Sequence, residues 1–282
     1  MGYNELKKLK ATVLCENSVF FNTGAIAEHG WSVYLETEQG NFLFDTGQGL
    51  AIVNNAHYLH KDLSKIKGII LSHHHLDHTG GLLKVLDYTG KVKVFAHPDI
   101  FKNSYNIRRG LENNIGIPFR REVLEGKGAE FVFNTQFTEI APGLMLSGEI
   151  PRKTPYEKGD PDLVVKTEQG YQQDLLIDDQ TLIANTKKGL VVILGCSHSG
   201  IINILNYVIE KTGQSHIYAL FGGTHLGPVS ERNRIESLKA LKEFDIEKIG
   251  TSHCTGLETS MRLSLEFGKR FFFCNVGTVV RI

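Results

Sequence analysis

The sequence predicts an α/β fold. Three short apolar runs, at residues 66–71, 190–194 and 217–220, each end in a loop that carries glycine and histidine, and each loop is followed by a segment with helical spacing. Strands that are apolar on both faces occur in sheets covered by helices on both sides. With 282 residues, 41% of them hydrophobic, the chain can bury a large core as one domain or as two fused halves.

The first half opens with predicted antiparallel strands. We expect a first strand over residues 10–15, and a hairpin in which an alternating strand at 32–37 turns into apolar residues 42–44. After the apolar run at 66–71, a helix is predicted from Gly80 onward, followed by a strand over 92–96.

The second half repeats the order of strand, histidine loop and helix. Its predicted strands are residues 162–166, 174–183, 190–194, 217–220 and 248–251. Its predicted helices are residues 201–211, 231–244 and 258–267.

Four histidines and one aspartate lie within residues 73–78, directly after an apolar strand. In extended backbone, residues two apart point the same way, so His73 and His75 can bind one ion while His74 faces elsewhere. Asp77 and His78, beyond the turn, can bind a second ion or complete the first site. The sequence therefore predicts a metal centre at the carboxyl end of this strand, where open α/β sheets form their sites.

The pattern His73-x-His75-x-Asp77-His78 resembles the signature of the metallo-β-lactamase superfamily. The resemblance implies a four-layer αβ/βα sandwich, two mixed sheets flanked by helices, over residues 1–282, and usually two metals. It also implies that Asp45 hydrogen-bonds a ligand histidine from beneath the metals. A simple turn cap is the alternative for Asp45, because Asp shortly before Gly is ordinary turn chemistry.

Three further histidines, His198, His225 and His253, fall at predicted strand ends. We expect His73, His75 and His198 to form a three-histidine site of the kind that leaves a fourth zinc position open for water. The second site is predicted to contain Asp77, His78 and His253.

One feature departs from the family pattern. Most two-metal members carry a bridging Asp at the strand end where this chain has residues 222–225, and no Asp or Glu occurs from Tyr218 to Ser230. His225 is a candidate to replace that Asp or to contact substrate, and a weak second site is the alternative. Cys196 and Cys254 neighbour metal histidines, and we expect them to point away as small packing residues.

The predicted cofactor is one or two divalent transition metal ions, with zinc favoured over manganese or iron. Such an ion lowers the pKa of bound water from about 15.7 to about 7 and so provides hydroxide at neutral pH. Asp77 is the candidate to orient that hydroxide, and His225 is the second catalytic candidate.

Residues 28–30, 147–152, 195–200, 222–226 and 253–256 narrow the resemblance to the branch related to dihydropterin-ribofuranosylaminobenzene 5'-phosphate synthase. Three functions stay open. The first is a metal-dependent hydrolase of a small, phosphorylated molecule. The second is a transferase that displaces pyrophosphate at a pterin-methyl diphosphate centre, and the third is an iron redox enzyme or ligand sensor on the same fold.

Residues 101–157 lack a clean period and are predicted to be an insertion that covers the site as a lid. Their arginines suit a phosphate-bearing substrate if they face the metals, and a solvated arginine face is the alternative. The candidate substrate-binding residues are Glu28, His29, Arg108, Arg109 and Arg152.

Composition excludes some partners and predicts a location. The formal net charge is zero and the pI is about 7.2, so no electrostatic footprint for nucleic acid or anionic membrane is visible. No apolar run approaches the roughly 20 residues of a membrane span, and the first residues do not resemble a signal peptide. We expect a cytoplasmic enzyme with a small-molecule substrate and four free cysteines, because none lies in a CxxC pair. The oligomeric state is not predicted.

Overall fold

The computed structural model describes residues 2–282, which contain two seven-stranded sheets and one four-stranded sheet. The strands are β1 Leu9–Cys15, β2 Ser32–Thr37, β3 Gly40–Phe44, β4 Ile66–Ile70, β5 Val92–Ala96, β6 Ser104–Arg108, β7 Leu111–Asn114, β8 Ala129–Phe133, β9 Thr138–Ala141, β10 Leu144–Leu146, β11 Leu163–Thr167, β12 Gly170–Gln173, β13 Leu182–Thr186, β14 Gly189–Leu194, β15 Ile217–Gly223, β16 Ile246–Ser252, β17 Phe271–Phe273 and β18 Val279–Arg281. The α-helices are α1 Ile52–Tyr58, α2 Leu76–Thr79, α3 Leu82–Thr89, α4 Arg121–Gly126, α5 Ile201–Thr212, α6 Glu231–Leu241 and α7 Leu257–Phe267. Among residues 2–282, no helix is long and apolar enough to cross a membrane.

The first sheet has the strand order β18-β1-β2-β3-β4-β5-β8. Its first part is antiparallel and includes the β2–β3 hairpin, as predicted. From β3 to β8 the strands run parallel. The carboxyl ends of β3 and β4 therefore lie side by side, which brings Asp45 next to the loop that carries the histidine motif.

The second sheet has the order β17-β16-β15-β14-β13-β10-β9 and is parallel from β14 to β17. Its parallel strands end at the loops that carry His198, His225 and His253. Because carboxyl ends of parallel strands share one edge, the fold gathers these three histidines at one place.

The fold has four layers, in the order helices, first sheet, second sheet, helices, and an apolar cluster fills each of the three interfaces between them. The central cluster lies between the two large sheets and contains Trp31 and Phe44 from the first and Val191 and Phe221 from the second. A second cluster packs α1 and α3 on the outer face of the first sheet, and a third packs α5 and α7 on the outer face of the second. The predicted αβ/βα sandwich is confirmed.

The segment 101–157 is divided among three places. Strands β6 and β7 join β11 and β12, from beyond the segment, in the separate four-stranded sheet with order β12-β11-β6-β7. Strand β8 completes the first large sheet, while β9 and β10 belong to the second. The predicted bounds of the insertion were wrong because the weak periodicity of short strands hid three strands of the main sheets, β8, β9 and β10. What lies apart from the sandwich is the four-stranded sheet.

The predicted strand over 174–183 was also wrong. The strand begins at Leu182, and residues 174–181 form a loop in which Asp174, Asp178 and Asp179 are buried. Apolar neighbours such as Leu176 made this loop look like a strand, but its carboxylates turn inward to hold the histidine loops.

Candidate metal centre

His73, His75 and His198 meet at the edge of the sandwich. The loop after β4 supplies the first two, and the loop after β14 supplies the third. One ring nitrogen from each lies within 4.8 Å of the others, and the rings are 0% to 6% exposed. The structure thus brings together the three residues predicted for the first site.

Each histidine of this group has at least one buried ring nitrogen without a protein partner. Nε2 of His73, Nε2 of His75 and both nitrogens of His198 are buried without a hydrogen bond. Burial, assisted by the neighbouring imidazoles, lowers the pKa of His73 and His198 well below the ordinary histidine value. Three neutral imidazoles with unpaired nitrogens facing one another fit a divalent metal, because metal ligands must be deprotonated.

Asp77, His78 and His253 form a second convergent group. His78 Nε2 lies 3.3 Å from His253 Nε2, and Asp77 Oδ2 lies 3.0 Å from His253 Nε2 and 3.9 Å from His78 Nε2. Ligands that bind zinc tetrahedrally at about 2.0 to 2.2 Å are separated by roughly 3.3 to 3.6 Å. The group therefore also fits a metal ion.

Hydrogen bonds orient the imidazoles of the second group. His78 Nδ1 lies 2.7 Å from Asp45 Oδ2, and His253 Nδ1 lies 3.0 Å from Asn17 Oδ1. Both acceptors require the proton on Nδ1, which leaves Nε2 as the ligand atom. Asp45 also accepts from the backbone N–H of Ser72 at 2.7 Å. Its position is the one that the resemblance implied.

The charged groups of the second site stabilise one another. Burial would raise the pKa of Asp77, but the adjacent His78 and hydrogen bonds from His253 and His29 hold it well below its ordinary range. Burial would lower the pKa of His78, yet the carboxylates of Asp45 and Asp77 raise it to about 9. Without metal, His78 therefore carries a proton that an ion must displace.

Backbone strain is concentrated at the site. Four non-glycine residues of the site loops, Asp45, Ser197, His225 and His253, have φ between 51° and 62°. Such left-handed conformations are costly for residues with a side chain and persist where the surrounding structure enforces them. Ser197 Oγ, for example, donates to Gly223 O at 2.7 Å and ties two of the loops together.

The predicted direction of the Cys196 and Cys254 side chains was wrong. Cys196 and Cys254 were expected to point away from the metals, but both line the cavity, and Cys196 Sγ lies 3.1 Å from His78 Nε2. The strand-like alternation behind that expectation fails because Ser197, between Cys196 and His198, has positive φ. Burial raises the pKa of the Cys196 thiol well above its ordinary value.

His225 lies beside the first group, its ring centroid 4.1 Å from that of His198. Both of its ring nitrogens are buried and lack a hydrogen-bond partner, although Asp160 Oδ2 is 4.0 Å from Nε2. One ring nitrogen is also within 4.8 Å of the thiols of Cys196 and Cys254. This imidazole is free to contact a bound molecule.

A cavity of about 290 Å³ opens onto both groups. The four-stranded sheet covers one side of it through Asn106, Arg108 and Leu163, and the main sheets supply the other side. His29 also lines it, with Nε2 3.2 Å from Asp77 Oδ2. That hydrogen bond raises the pKa of His29.

Of the remaining substrate-binding candidates, only Arg108 lines this cavity. Its Nε donates to Asp162 at 2.8 Å, and Nη2 lies 3.4 Å from Asp160. Arg109 is exposed at the turn between β6 and β7, outside the residues that line the cavity.

The charged groups of Glu28 and Arg152, predicted to bind substrate, instead form hydrogen bonds with the protein's own backbone. The Glu28 carboxylate accepts from the backbone N–H groups of Leu50 at 2.8 Å and Ala51 at 3.0 Å, just before α1. The Arg152 guanidinium donates to His198 O at 2.7 Å and to Leu175 O at 2.5 Å. Both residues support the loops around the site, and neither lines the cavity.

Sequence reasoning missed the carboxylates that hold the histidine loops. His74 Nδ1 lies 2.7 Å from Asp178 Oδ2, and Lys102 Nζ donates to Asp178 and Asp174 at 2.7 and 2.8 Å. The cluster of acidic residues in the apolar stretch 174–179 was the available signal. Buried charges of this kind need partners, and here they fix His74 away from the metals.

Two more buried carboxylates anchor the loops of the second sheet. Glu16 accepts from the backbone N–H of His253 at 2.7 Å. Asp179 accepts from the backbone N–H of Ser199 at 2.8 Å, and burial raises its pKa to about 6. Asp179 belongs to the same acidic cluster at residues 174–179, whereas nothing in the sequence near Glu16 indicated its long-range contact.

Comparisons with known proteins agree with this geometry. Residues 26–148 match the family described as the metallo-beta-lactamase superfamily. A 7,8-dihydropterin-6-methyl-4-(beta-D-ribofuranosyl)-aminobenzene-5'-phosphate synthase from Methanocaldococcus jannaschii is 31% identical over 292 residues, covering 100% of this chain and 99% of that protein. An uncharacterized protein of the same archaeon is 32% identical over 91% of this chain and 94% of its own length.

One solved structure is similar throughout. Tm1679, described as a metal-dependent hydrolase of the beta-lactamase superfamily, superposes with a TM-score of 0.83 at 31% identity, covering 97% of this chain and 99% of that one. The metallo-beta-lactamase fold protein YhfI of Bacillus subtilis superposes with a TM-score of 0.60 at 13% identity, over 98% of this chain and 99% of that one, and shows the shared fold alone.

Proposed function

The chain belongs to the metallo-β-lactamase superfamily, and on that premise we propose that it is a metal-dependent hydrolase of a small phosphorylated molecule. The observation that carries the proposal is the convergence of two imidazole groups on one cavity, the first of which, His73, His75 and His198, has buried ring nitrogens without a hydrogen bond. Divalent ions bound there would act as Lewis acids and lower the pKa of a bound water from about 15.7 to about 7.

The protein groups around the cavity have distinct roles in this proposal. His73, His75 and His198 hold the first ion, and Asp77, His78 and His253 hold the second. Asp77 also orients a water in the cavity that it lines, where its Oδ2 lies 3.0 Å from His253 Nε2 and 3.2 Å from His29 Nε2. Its depressed pKa keeps it a carboxylate at neutral pH.

His29 and His225 lie where they can contact the substrate. The raised pKa of His29 makes its imidazole a proton donor to a leaving oxygen, or a cation that binds an anionic group. His225 presents two unpaired nitrogens to the same cavity. Both were candidates from the sequence, and with Arg108 they are the candidates for substrate contact that line the cavity.

The charge of the cavity favours an anionic substrate. Its acidic lining residues are Asp77 and Asp160, and Arg108 offsets one of them. Two divalent ions would add four positive charges, and bound cations are often the largest charges in a site. A phosphate or diphosphate is the substrate group that such a cavity attracts.

Metal content and activity test the proposal together. Protein expressed without added metal should contain at least one transition metal per chain, and His75→Ala should lose metal and phosphoesterase activity together. The matched control is His57→Ala, since His57 is an exposed residue of α1 distant in sequence from the motif. An active, metal-free enzyme would contradict the proposal.

A second candidate is the transferase that releases pyrophosphate, and the full-length similarity to the archaeal synthase favours it. The same residues would then hold the ions against a departing pyrophosphate. The two functions differ in their need for an acceptor. Turnover of a phosphorylated pterin without an arylamine supports the hydrolase, whereas a strict requirement for the arylamine supports the transferase.

A further inference from the structure

The second sheet lacks an acidic residue where its strand β15 reaches the metal centre. The strand ends in Gly222 and Gly223, and no Asp or Glu occurs from Tyr218 to Ser230. A side chain at Gly223 has no room, because a Cβ built there would lie 2.5 Å from Gly195 O, 2.7 Å from Cys254 Sγ and 3.3 Å from Cys196 Cα. The backbone of residues 195–196 and the thiol of Cys254 therefore leave no space for a carboxylate side chain at this position.

Cys196 lies at the boundary between the two imidazole groups. Its Sγ is 3.1 Å from His78 Nε2 and within 4.8 Å of a ring nitrogen of His73. The side chain is only 3% exposed. Cys254 Sγ lies within 4.8 Å of Cys196 Sγ and of a ring nitrogen of His225, and it accepts from the backbone N–H of His225 at 3.3 Å.

We propose that Cys196 provides a thiolate ligand at the second metal position, alongside Asp77, His78 and His253, in place of the missing carboxylate. The inference rests on the proposed metal centre and specifies the ligands of one of its sites. A tetrahedral zinc bound by sulfur at about 2.3 Å and nitrogen at about 2.0 to 2.1 Å separates the two atoms by roughly 3.5 Å. The observed 3.1 Å needs only a small outward shift of the thiol.

The donor set has a chemical consequence. A thiolate is a soft ligand that suits zinc, iron or cobalt, whereas a site of carboxylates and water suits manganese and magnesium. Binding replaces the thiol proton, which leaves to solvent as the metal–sulfur bond forms. We therefore expect the second position to select zinc over manganese more strongly than an all-nitrogen and oxygen site would.

X-ray absorption on the zinc-loaded protein tests the proposal directly. Wild type with two zinc ions should show a sulfur scatterer at about 2.3 Å, and the cobalt-substituted protein should show a thiolate-to-cobalt charge-transfer band. In Cys196→Ser both signals should disappear and the second ion should bind at least roughly tenfold more weakly, while the first ion remains. Cys254→Ser should retain the signals, and Cys274→Ser, from the core, controls for loss of a buried thiol.

The outcomes separate the two proposals. Two bound ions with only nitrogen and oxygen scatterers in wild type would overturn the role of Cys196 and leave the metal centre intact. Sulfur signals that persist in Cys196→Ser but vanish in Cys254→Ser would overturn it as well. Failure of wild type to bind any transition metal would overturn the proposed function itself.

Discussion

The imidazole of His78 lies between Asp45 and the cavity, with Nδ1 2.7 Å from the Asp45 carboxylate and Nε2 3.3 Å from His253. The same carboxylate accepts from the Ser72 hydroxyl at 2.7 Å. Because the hydroxyl proton is used there, Ser72 Oγ can accept from His73 Nδ1 at 2.9 Å. Asp45 therefore fixes the tautomer of one histidine in each ligand group: His78 in the second group and, through Ser72, His73 in the first.

Asp45→Asn should weaken the second site. The amide NH₂ would donate to His78 Nδ1 and move the ring proton to Nε2, where it blocks the metal. Loss of such an outer partner typically costs about 10- to 100-fold in metal affinity. Isothermal titration of wild type and variant with zinc measures the change in affinity.

Asp178→Asn is the matched control for Asp45→Asn, because Asp178 makes an equivalent 2.7 Å contact with His74, which faces away from both groups. It should lower stability without changing metal affinity. Equal zinc affinity for wild type and Asp45→Asn would show that Asp45 is only a structural residue.

Metal binding at the second site should release a proton from His78. The pKa of His78 in the metal-free protein is about 9, so below that value an ion must displace its proton, which adds up to about tenfold to the apparent affinity per pH unit. With Cys196 bound as a thiolate, the raised pKa of its thiol adds a second displaced proton, and that part of the slope continues above pH 9. The pKa values of His73, His75 and His198 are depressed, so the first site should show no such slope near neutral pH. The measurement is the number of protons released into a weak buffer when zinc is added, which should be larger at pH 7 than at pH 10.

Arg108→Ala should lower kcat/KM for a phosphoester by about ten- to a hundredfold, since a charge-assisted hydrogen bond is worth about 1.5 to 3 kcal/mol. The rate on a neutral ester of similar size should change little. Arg109→Ala is the matched control, because Arg109 is adjacent in sequence and lies outside the cavity lining. If both variants behave like wild type on both substrates, the phosphate preference does not come from the β6–β7 hairpin, which carries both arginines.

The sequence predicted the sandwich and both ligand groups because their signals are local. Apolar strands, the motif at residues 73–78 and histidines at strand ends each lie within a few residues of one another, and parallel strands bring their ends together. The role of Asp45 and the four layers of the sandwich came from the family resemblance. The other features required only the order of elements along the chain.

The rest could not be predicted because it depends on contacts between residues far apart in sequence. Glu16 reaches His253 across 237 positions, and Asp178 reaches His74 across 104. The direction of Cys196 depends on positive φ at Ser197, which is enforced by the tertiary structure. The role of Arg152 was mistaken for the same reason, since a guanidinium serves a backbone carbonyl as readily as a phosphate.

Asp179→Asn should stabilise the metal-free protein at alkaline but not at acidic pH. Burial raises the pKa of Asp179 from 3.8 to about 6, and its Oδ1 has no hydrogen-bond partner. A raised folded-state pKa favours the neutral acid, so its stabilising contribution is complete below about pH 4 and is lost as the pH rises through 6. Above pH 6 the buried carboxylate costs up to about 3 kcal/mol, from a shift of about two pKa units.

The Asn side chain keeps an oxygen that can accept from the backbone N–H of Ser199, which in the wild type donates to the Asp179 carboxylate at 2.8 Å. Urea unfolding in a chelator at pH 8 should therefore show a gain of about 1 to 3 kcal/mol for the variant, which falls to about half at pH 5 and toward zero below about pH 4. Asp87→Asn, at an exposed ion pair with Lys127, is the control and should stay within about 0.5 kcal/mol of wild type at both values. A variant that loses stability equally at pH 5 and pH 8 would show that the Ser199 contact, and not the burial of charge, determines the role of Asp179.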